Sequence, residues 1–135
     1  MDLYATLRSM HLLVIDDDQW VRDSLKLFFE SEGCHTVALE TAEEGLVQAA
    51  AQCFDILFVD YRLPGMNGLE FVRHLPSNCI DAWKVLFTAY GNDGLKQQAL
   101  QYGFDAFITK PFRPEDLRRV ALDLLRTRAP TPGLV

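Results

Sequence analysis

The chemistry in this chain sits at the ends of apolar runs. Asp16, Asp17 and Asp18 close the run His11-Leu12-Leu13-Val14-Ile15, and Asp60 closes Phe54-Asp55-Ile56-Leu57-Phe58-Val59. Thr88 ends Lys84-Val85-Leu86-Phe87, and Lys110 follows Asp105-Ala106-Phe107-Ile108-Thr109. Runs of this kind read as buried strands. Parallel neighbours would bring their carboxyl ends to one rim, where open α/β sheets hold ligands and reacting groups. By itself Asp60 reads equally well as a strand-end cap for the next turn. Two further acids and a lysine on other strand ends change that reading. Three carboxylates close together repel unless a cation lies among them. A hard divalent ion with oxygen ligands, Mg2+ foremost, answers the repulsion. Nothing here offers the sulfur or paired imidazole ligands of zinc. Lys110 brings a point charge suited to a phosphoryl oxygen, and Thr88 brings a hydroxyl donor. Metal, carboxylate, lysine and hydroxyl together are equipment for phosphoryl transfer.

Such a rim requires a parallel sheet, and the pattern along the chain supplies one. Each strand is followed by a helical stretch. After the first, Val21, Leu25, Phe28 and Glu32 share a face and Gly33 stops the helix; Asp18 suits its N-cap. His35-Thr36-Val37-Ala38-Leu39 is a second strand. Thr41, with an acid three residues on, opens a helix through Leu46, Ala49 and Ala50. The strand ending at Asp60 leads through a turn-rich segment to a short helix carrying Leu69, Val72 and Leu75, which Pro76 ends. The fourth strand, 84–88, leads to a helix with Leu95, Ala99 and Tyr102, closed by Gly103. The fifth, 105–109, leads to a helix opened by Pro114-Glu115-Asp116 with an apolar stripe of Leu117, Val120, Ala121, Leu124 and Leu125. Strict alternation predicts an α/β fold, a single doubly wound (βα)5 domain with five parallel strands and helices on both faces. Continuous rather than alternating apolar strands fit a sheet covered on both sides.

Composition bounds the function. The chain has 135 residues, enough for one domain with a core, and no apolar run near the roughly 18 residues of a membrane span. The first ten residues lack the basic start and apolar centre of a secretory signal. The net charge of −6 disfavours nucleic-acid binding by this domain. The three cysteines, Cys34, Cys53 and Cys79, have no CxxC spacing and read as buried or inert thiols in a reducing cytosol.

The whole set resembles the receiver domain of two-component response regulators, over residues 11–128. The resemblance rests on Leu12-Leu13-Val14-Ile15-Asp16-Asp17-Asp18, on Val59-Asp60-Tyr61-Arg62-Leu63-Pro64-Gly65-Met66-Asn67-Gly68, on Thr88-Ala89-Tyr90-Gly91 and on Lys110-Pro111-Phe112. It implies a flavodoxin-like strand order of 2-1-3-4-5. It implies that Asp60 accepts the phosphoryl group from a kinase phosphohistidine. Asp17 and Asp60 would ligate Mg2+ directly, Asp16 through water, and the backbone carbonyl of Arg62 would complete the protein's ligands. Thr88 and Lys110 would grip phosphoryl oxygens, with Lys110 paired to Asp60 beforehand. Phe107 takes the aromatic switch position; without a hydroxyl it can turn but cannot hydrogen-bond, and by itself it reads as core. A cis Lys110–Pro111 bond is implied as well.

The resemblance further implies a cytoplasmic protein with a sensor histidine kinase or phosphotransfer protein as partner. It turns over no separate substrate. A homodimer through the fourth helix, fifth strand and fifth helix is a possible output. Residues 1–10 are expected as an N-terminal extension and 129–135 as a flexible tail, leaving a stand-alone receiver or a piece of a longer regulator. Arg62 and Tyr90 are expected to flank the approach of hydrolytic water. Neither orients water as a base would, so the phosphoprotein should be long-lived.

Three other classes fit less well. A haloacid-dehalogenase-type phosphatase needs Asp-x-Asp-x-Thr/Val, whereas Asp16-Asp17-Asp18-Gln19-Trp20 ends in Trp. A flavodoxin-like cofactor binder needs a phosphate-cradling loop where this chain has three acids. A phosphorylation-independent interaction module would have no use for the complete acceptor set.

Overall fold

The apolar runs become five parallel strands in a computed structural model that describes residues 3–89 and 91–127. The elements are α1 (Leu3–Arg8), β1 (His11–Ile15), α2 (Gln19–Ser31), β2 (His35–Leu39), α3 (Ala42–Ala51), β3 (Ile56–Asp60), α4 (Gly68–Arg73), a 3-10 turn (Ser77–Cys79), β4 (Trp83–Thr88), α5 (Asp93–Gln101), β5 (Ala106–Thr109) and α6 (Pro114–Thr127). The strands lie in the order β2-β1-β3-β4-β5, as expected. Every residue of β3 is buried, which fits a central strand covered on both faces.

Strand alternation sorts the core into two layers. Leu12, Val14, Ile56, Phe58, Val85 and Phe87 face one way, onto Leu25 and Phe29 of α2 and Leu117, Ala121 and Leu125 of α6. Leu13, Ile15, Leu57, Val59 and Leu86 face the other, onto Ala42 of α3, Leu69 and Phe71 of α4, and Leu95 and Ala99 of α5.

The helix starts follow local chemistry. Asp18 accepts the N–H groups of Trp20 and Val21 as N-cap of α2. Thr41 and Glu44 form a reciprocal capping box on α3, and Asn67 with Glu70 forms another on α4. Gly33 follows α2 at φ +93°, the left-handed conformation that ends a helix.

Four features differ from the pattern reading. Residues 3–8 form a helix. Leu7 and Met10 are buried with Leu122 and Leu125, and Cys34 Sγ donates to the Leu7 carbonyl at 3.1 Å. Asp55 and Asp105 precede their strands rather than belonging to them. The Asp55 carboxylate accepts the His11 N–H at 2.8 Å while its own N–H donates to the His11 carbonyl at 2.8 Å. Asp105 repeats this with Lys84, at 2.8 and 2.7 Å. Each short acid thus pins the start of the neighbouring strand. Helix α4 stops at Arg73, before Pro76, which instead opens the 3-10 turn. Trp83 extends β4 by one residue.

Candidate functional site

The carboxyl ends of β1 and β3 are adjacent, so their acids meet. Asp16 is fully buried, Asp60 is 5% exposed, and Asp17 lies open to solvent. One oxygen from each of Asp16, Asp17 and Asp60 falls within 4.8 Å of the others, a spacing that suits a divalent cation. Both oxygens of Asp16 are already engaged. Oδ1 accepts the Asp18 N–H at 2.9 Å, and Oδ2 accepts Lys110 Nζ at 2.8 Å. Asp17 and Asp60 are therefore the freer ligands.

Lys110 reaches across from the segment after β5. Its ammonium lies 3.6 Å from Asp60 Oδ2, so the expected pair exists, but the shorter contact is to Asp16. Nζ also stands 5.3 Å from the centre of the buried Phe87 ring. The Lys110–Pro111 bond is cis, as expected.

Electrostatics follow from burial. Desolvation raises the Asp60 pKa to about 7; the charge of Asp16 adds to the rise and Lys110 opposes it. Burial likewise raises Asp16, against its bonds from Lys110 and Asp18. Burial pulls Lys110 down, but its bond to Asp16 and the charges of Asp16 and Asp60 outweigh that, so its pKa is raised and it stays charged. Burial thus holds Asp60 toward its protonated form.

Three of the remaining expected residues, Thr88, Phe107 and Arg62, are described. Thr88 is fully buried at the end of β4. Phe107 is half-buried and packs with the core layer that holds Leu86, its register partner on β4. Arg62 is exposed and lines an open pocket with Tyr61, Asn92, Leu95 and Gln98. Tyr90 lies outside the described residues. Gly68 is required by close approach: a Cβ there would lie 2.5 Å from the Asp60 carbonyl oxygen, so α4 starts hard against the acid strand.

Arg22 escaped the motif reading. Its Nη1 donates to the Asp16 carbonyl at 2.9 Å, clamping the acid loop from the first turns of α2. A lone arginine in an amphipathic helix carries no sequence signal for that task.

Comparison with known proteins gives a consistent picture. The response regulator receiver domain family matches residues 12–122. Over 124 residues the chain is 33% identical to the cyclic di-GMP phosphodiesterase response regulator RpfG of Xanthomonas campestris pv. campestris, covering 88% of this chain and 32% of that protein. The chain thus spans about a third of that relative's length. A CheY-like response regulator receiver domain protein from Methanospirillum hungatei is similar in structure, with a TM-score of 0.79 and 30% identity over 89% of this chain and 98% of the other. A response regulator from Burkholderia pseudomallei, solved with a phosphorylated aspartic acid, a calcium ion and citrate, has a TM-score of 0.78 at 26% identity, over 90% and 74% of the two chains.

Proposed function

The chain belongs to the response regulator receiver domain family, and on that footing we propose that Asp60 is its phosphoacceptor, charged by the phosphohistidine of a sensor kinase or phosphotransfer protein. The observation that carries this reading is the half-buried Lys110 ammonium set between Asp16 and Asp60, at 2.8 and 3.6 Å. A lysine in that place can neutralise a carboxylate before the reaction and a phosphoryl oxygen after it.

Mg2+ would be held by Asp17, Asp60 and the backbone carbonyl of Arg62, with Asp16 acting through water. When bound, it supplies positive charge for the transferring phosphoryl oxygens. The Burkholderia protein, with its phosphorylated aspartic acid and calcium ion, supports both an aspartyl phosphate and a divalent site here.

An Asp60 oxygen attacks phosphorus while the histidine nitrogen leaves, so Asp60 must be ionised. Burial works against that ionisation, and Lys110 works for it. Asp16 fixes Lys110 rather than reacting, since both its oxygens are occupied. After transfer, the Thr88 hydroxyl and Lys110 bind phosphoryl oxygens, and the Phe107 ring turns into the space Thr88 vacates. Phosphate shifts a pre-existing equilibrium, because it can only favour the state it binds better.

The face formed by α5, β5 and α6 would carry the output to a partner or a second copy. Residues 11–128 would form the receiver. The cytoplasm is the proposed location; among the described residues no helix is long and apolar enough to cross a membrane. No separate substrate is turned over.

Acetyl phosphate with Mg2+ should add one phosphoryl group to the wild type and none to Asp60→Asn by intact mass. Equal incorporation by both would remove Asp60 from the role.

A further inference from the structure

At the amino ends of β3 and β4, away from the acids, the Asn78 amide touches both the Cys53 sulfur and the carbonyl oxygen that Cys79 reaches. Cys79 closes the 3-10 turn and is buried, with its Sγ 3.8 Å from the Ala49 oxygen. Asn78 Nδ2 donates to the same oxygen at 3.3 Å and lies 3.7 Å from Cys53 Sγ. Cys53 is exposed, on the loop joining α3 to β3. Short contacts through one amide and one carbonyl therefore connect the two sulfurs. Neither residue has a part in the phosphoryl site. Spacing along the chain gives no reason to pair them; only the fold brings them together.

We propose that Cys53 and Cys79 are a reversible disulfide pair, with Cys53 the entry thiol and Cys79 the resolving thiol, oxidised by exchange with a small disulfide of the glutathione disulfide class. The Cys53 thiolate attacks one sulfur of that disulfide. The S–S bond breaks, and the first glutathione leaves as thiolate and takes up the proton Cys53 released. Cys79 then gives its proton to solvent. Its thiolate attacks the Cys53 sulfur of the mixed disulfide, and the second glutathione leaves. Two protein thiols are oxidised and one disulfide is reduced to two thiols.

Access sets this order, since exchange needs an exposed thiolate and only Cys53 is open. Burial raises the Cys79 pKa, the nearby Cys53 charge raises it further, and Lys84 opposes. The resolving step is therefore the slower one, and it speeds up as pH rises. Ser77, Asn78 and Ile80 around Cys79 are exposed, so local opening of this one turn frees the thiol. Cys34 stays out of the exchange. It lies in the core layer under α2 and α6, bonded to the Leu7 carbonyl, and burial lifts its pKa to about 11. The new bond would close residues 53–79, with β3, Asp60 and α4, into a covalent loop.

Incubation of the folded protein with glutathione disulfide tests this by intact mass and peptide mapping. Wild type should end two hydrogens lighter, with Cys53 joined to Cys79, after passing through a glutathione adduct on Cys53. Cys79→Ser should stop at that adduct, and Cys53→Ser should remain unmodified. Conversion of the wild-type adduct to the disulfide should quicken at higher pH. A wild-type protein that keeps glutathione on Cys53 to the end, or that pairs Cys34, overturns the proposal. The wild-type mapping stands by itself if either variant folds poorly.

Discussion

The peptide nitrogen of Lys110 donates to the carbonyl oxygen of Thr88 at 2.7 Å. One hydrogen bond thus joins the end of β4, where the hydroxyl sits, to the segment that carries the ammonium. Movement at Thr88 reaches β5 directly. Thr88→Ala should accept phosphate yet transmit little of it. Adding beryllofluoride should move wild-type amide resonances across about residues 88–112, while in Thr88→Ala the changes stay close to Asp60. Equal changes in both proteins would break this coupling.

Protons and Mg2+ should compete at Asp60. Its folded pKa is raised from 3.8 to about 7, so the folded state holds this proton more tightly than the unfolded chain. The resulting stability is fully present below 3.8 and is lost as pH rises through about 7. Metal-free protein should therefore gain resistance to urea as pH falls from 7 toward 5. Asp60→Asn should flatten that slope, leaving the contribution of Asp16, which has the same sign. Mg2+ affinity should fall over the same window.

Removing acids should separate ligation from positioning. Asp17→Ala should abolish most Mg2+ binding, followed by tryptophan fluorescence, and should leave Lys110 in place. Asp16→Ala should weaken binding less but release the 2.8 Å contact that holds Lys110. Both variants relieve repulsion between acids. The opposite ranking of Mg2+ affinities would reverse the ligand assignment.

The first helix should matter to stability. Leu7 is 1% exposed within a core layer. Leu7→Ala should cost about 2–5 kcal/mol, the usual range for a buried leucine. Urea unfolding measures it; a loss under about 0.5 kcal/mol would make α1 a surface appendage.

Phosphate lifetime should respond to Arg62. Its bulk is proposed to shield the approach of water to phosphorus; its side chain is exposed and lines a pocket with Asn92 and Gln98. Arg62→Asn should lose phosphate faster in a decay assay. Unchanged or slower loss would assign the shielding elsewhere.

Strand positions and the gathering of Asp16, Asp17 and Asp60 are legible because both follow from local type. Apolar runs that end in Asp or Thr declare themselves, and so do Asp18 and Thr41 as caps. Helix α1 did not, because its first turn holds no acid and its burial depends on contact with α6. Asp55 and Asp105 sit at the heads of their apolar runs, but their reciprocal bonds are made to neighbouring strands, beyond any window of sequence. The resemblance pairs Lys110 with Asp60. That its closer partner is Asp16 depends on how far a flexible side chain reaches in three dimensions.

The site is also divided by the sheet. Its acids end β1 and β3, while its hydroxyl ends β4 and its ammonium stands beyond β5. A phosphoryl group gripped from both sides would act as a strut laid across four strand ends. Strands anchored at their starts by Asp55 and Asp105 can then respond only at the free ends, as a fan closes from its outer edge. The lever arm is short, so the largest displacement belongs to the loops and helix starts nearest the strut. A partner would sense phosphorylation there, while the far end of the sheet keeps its register.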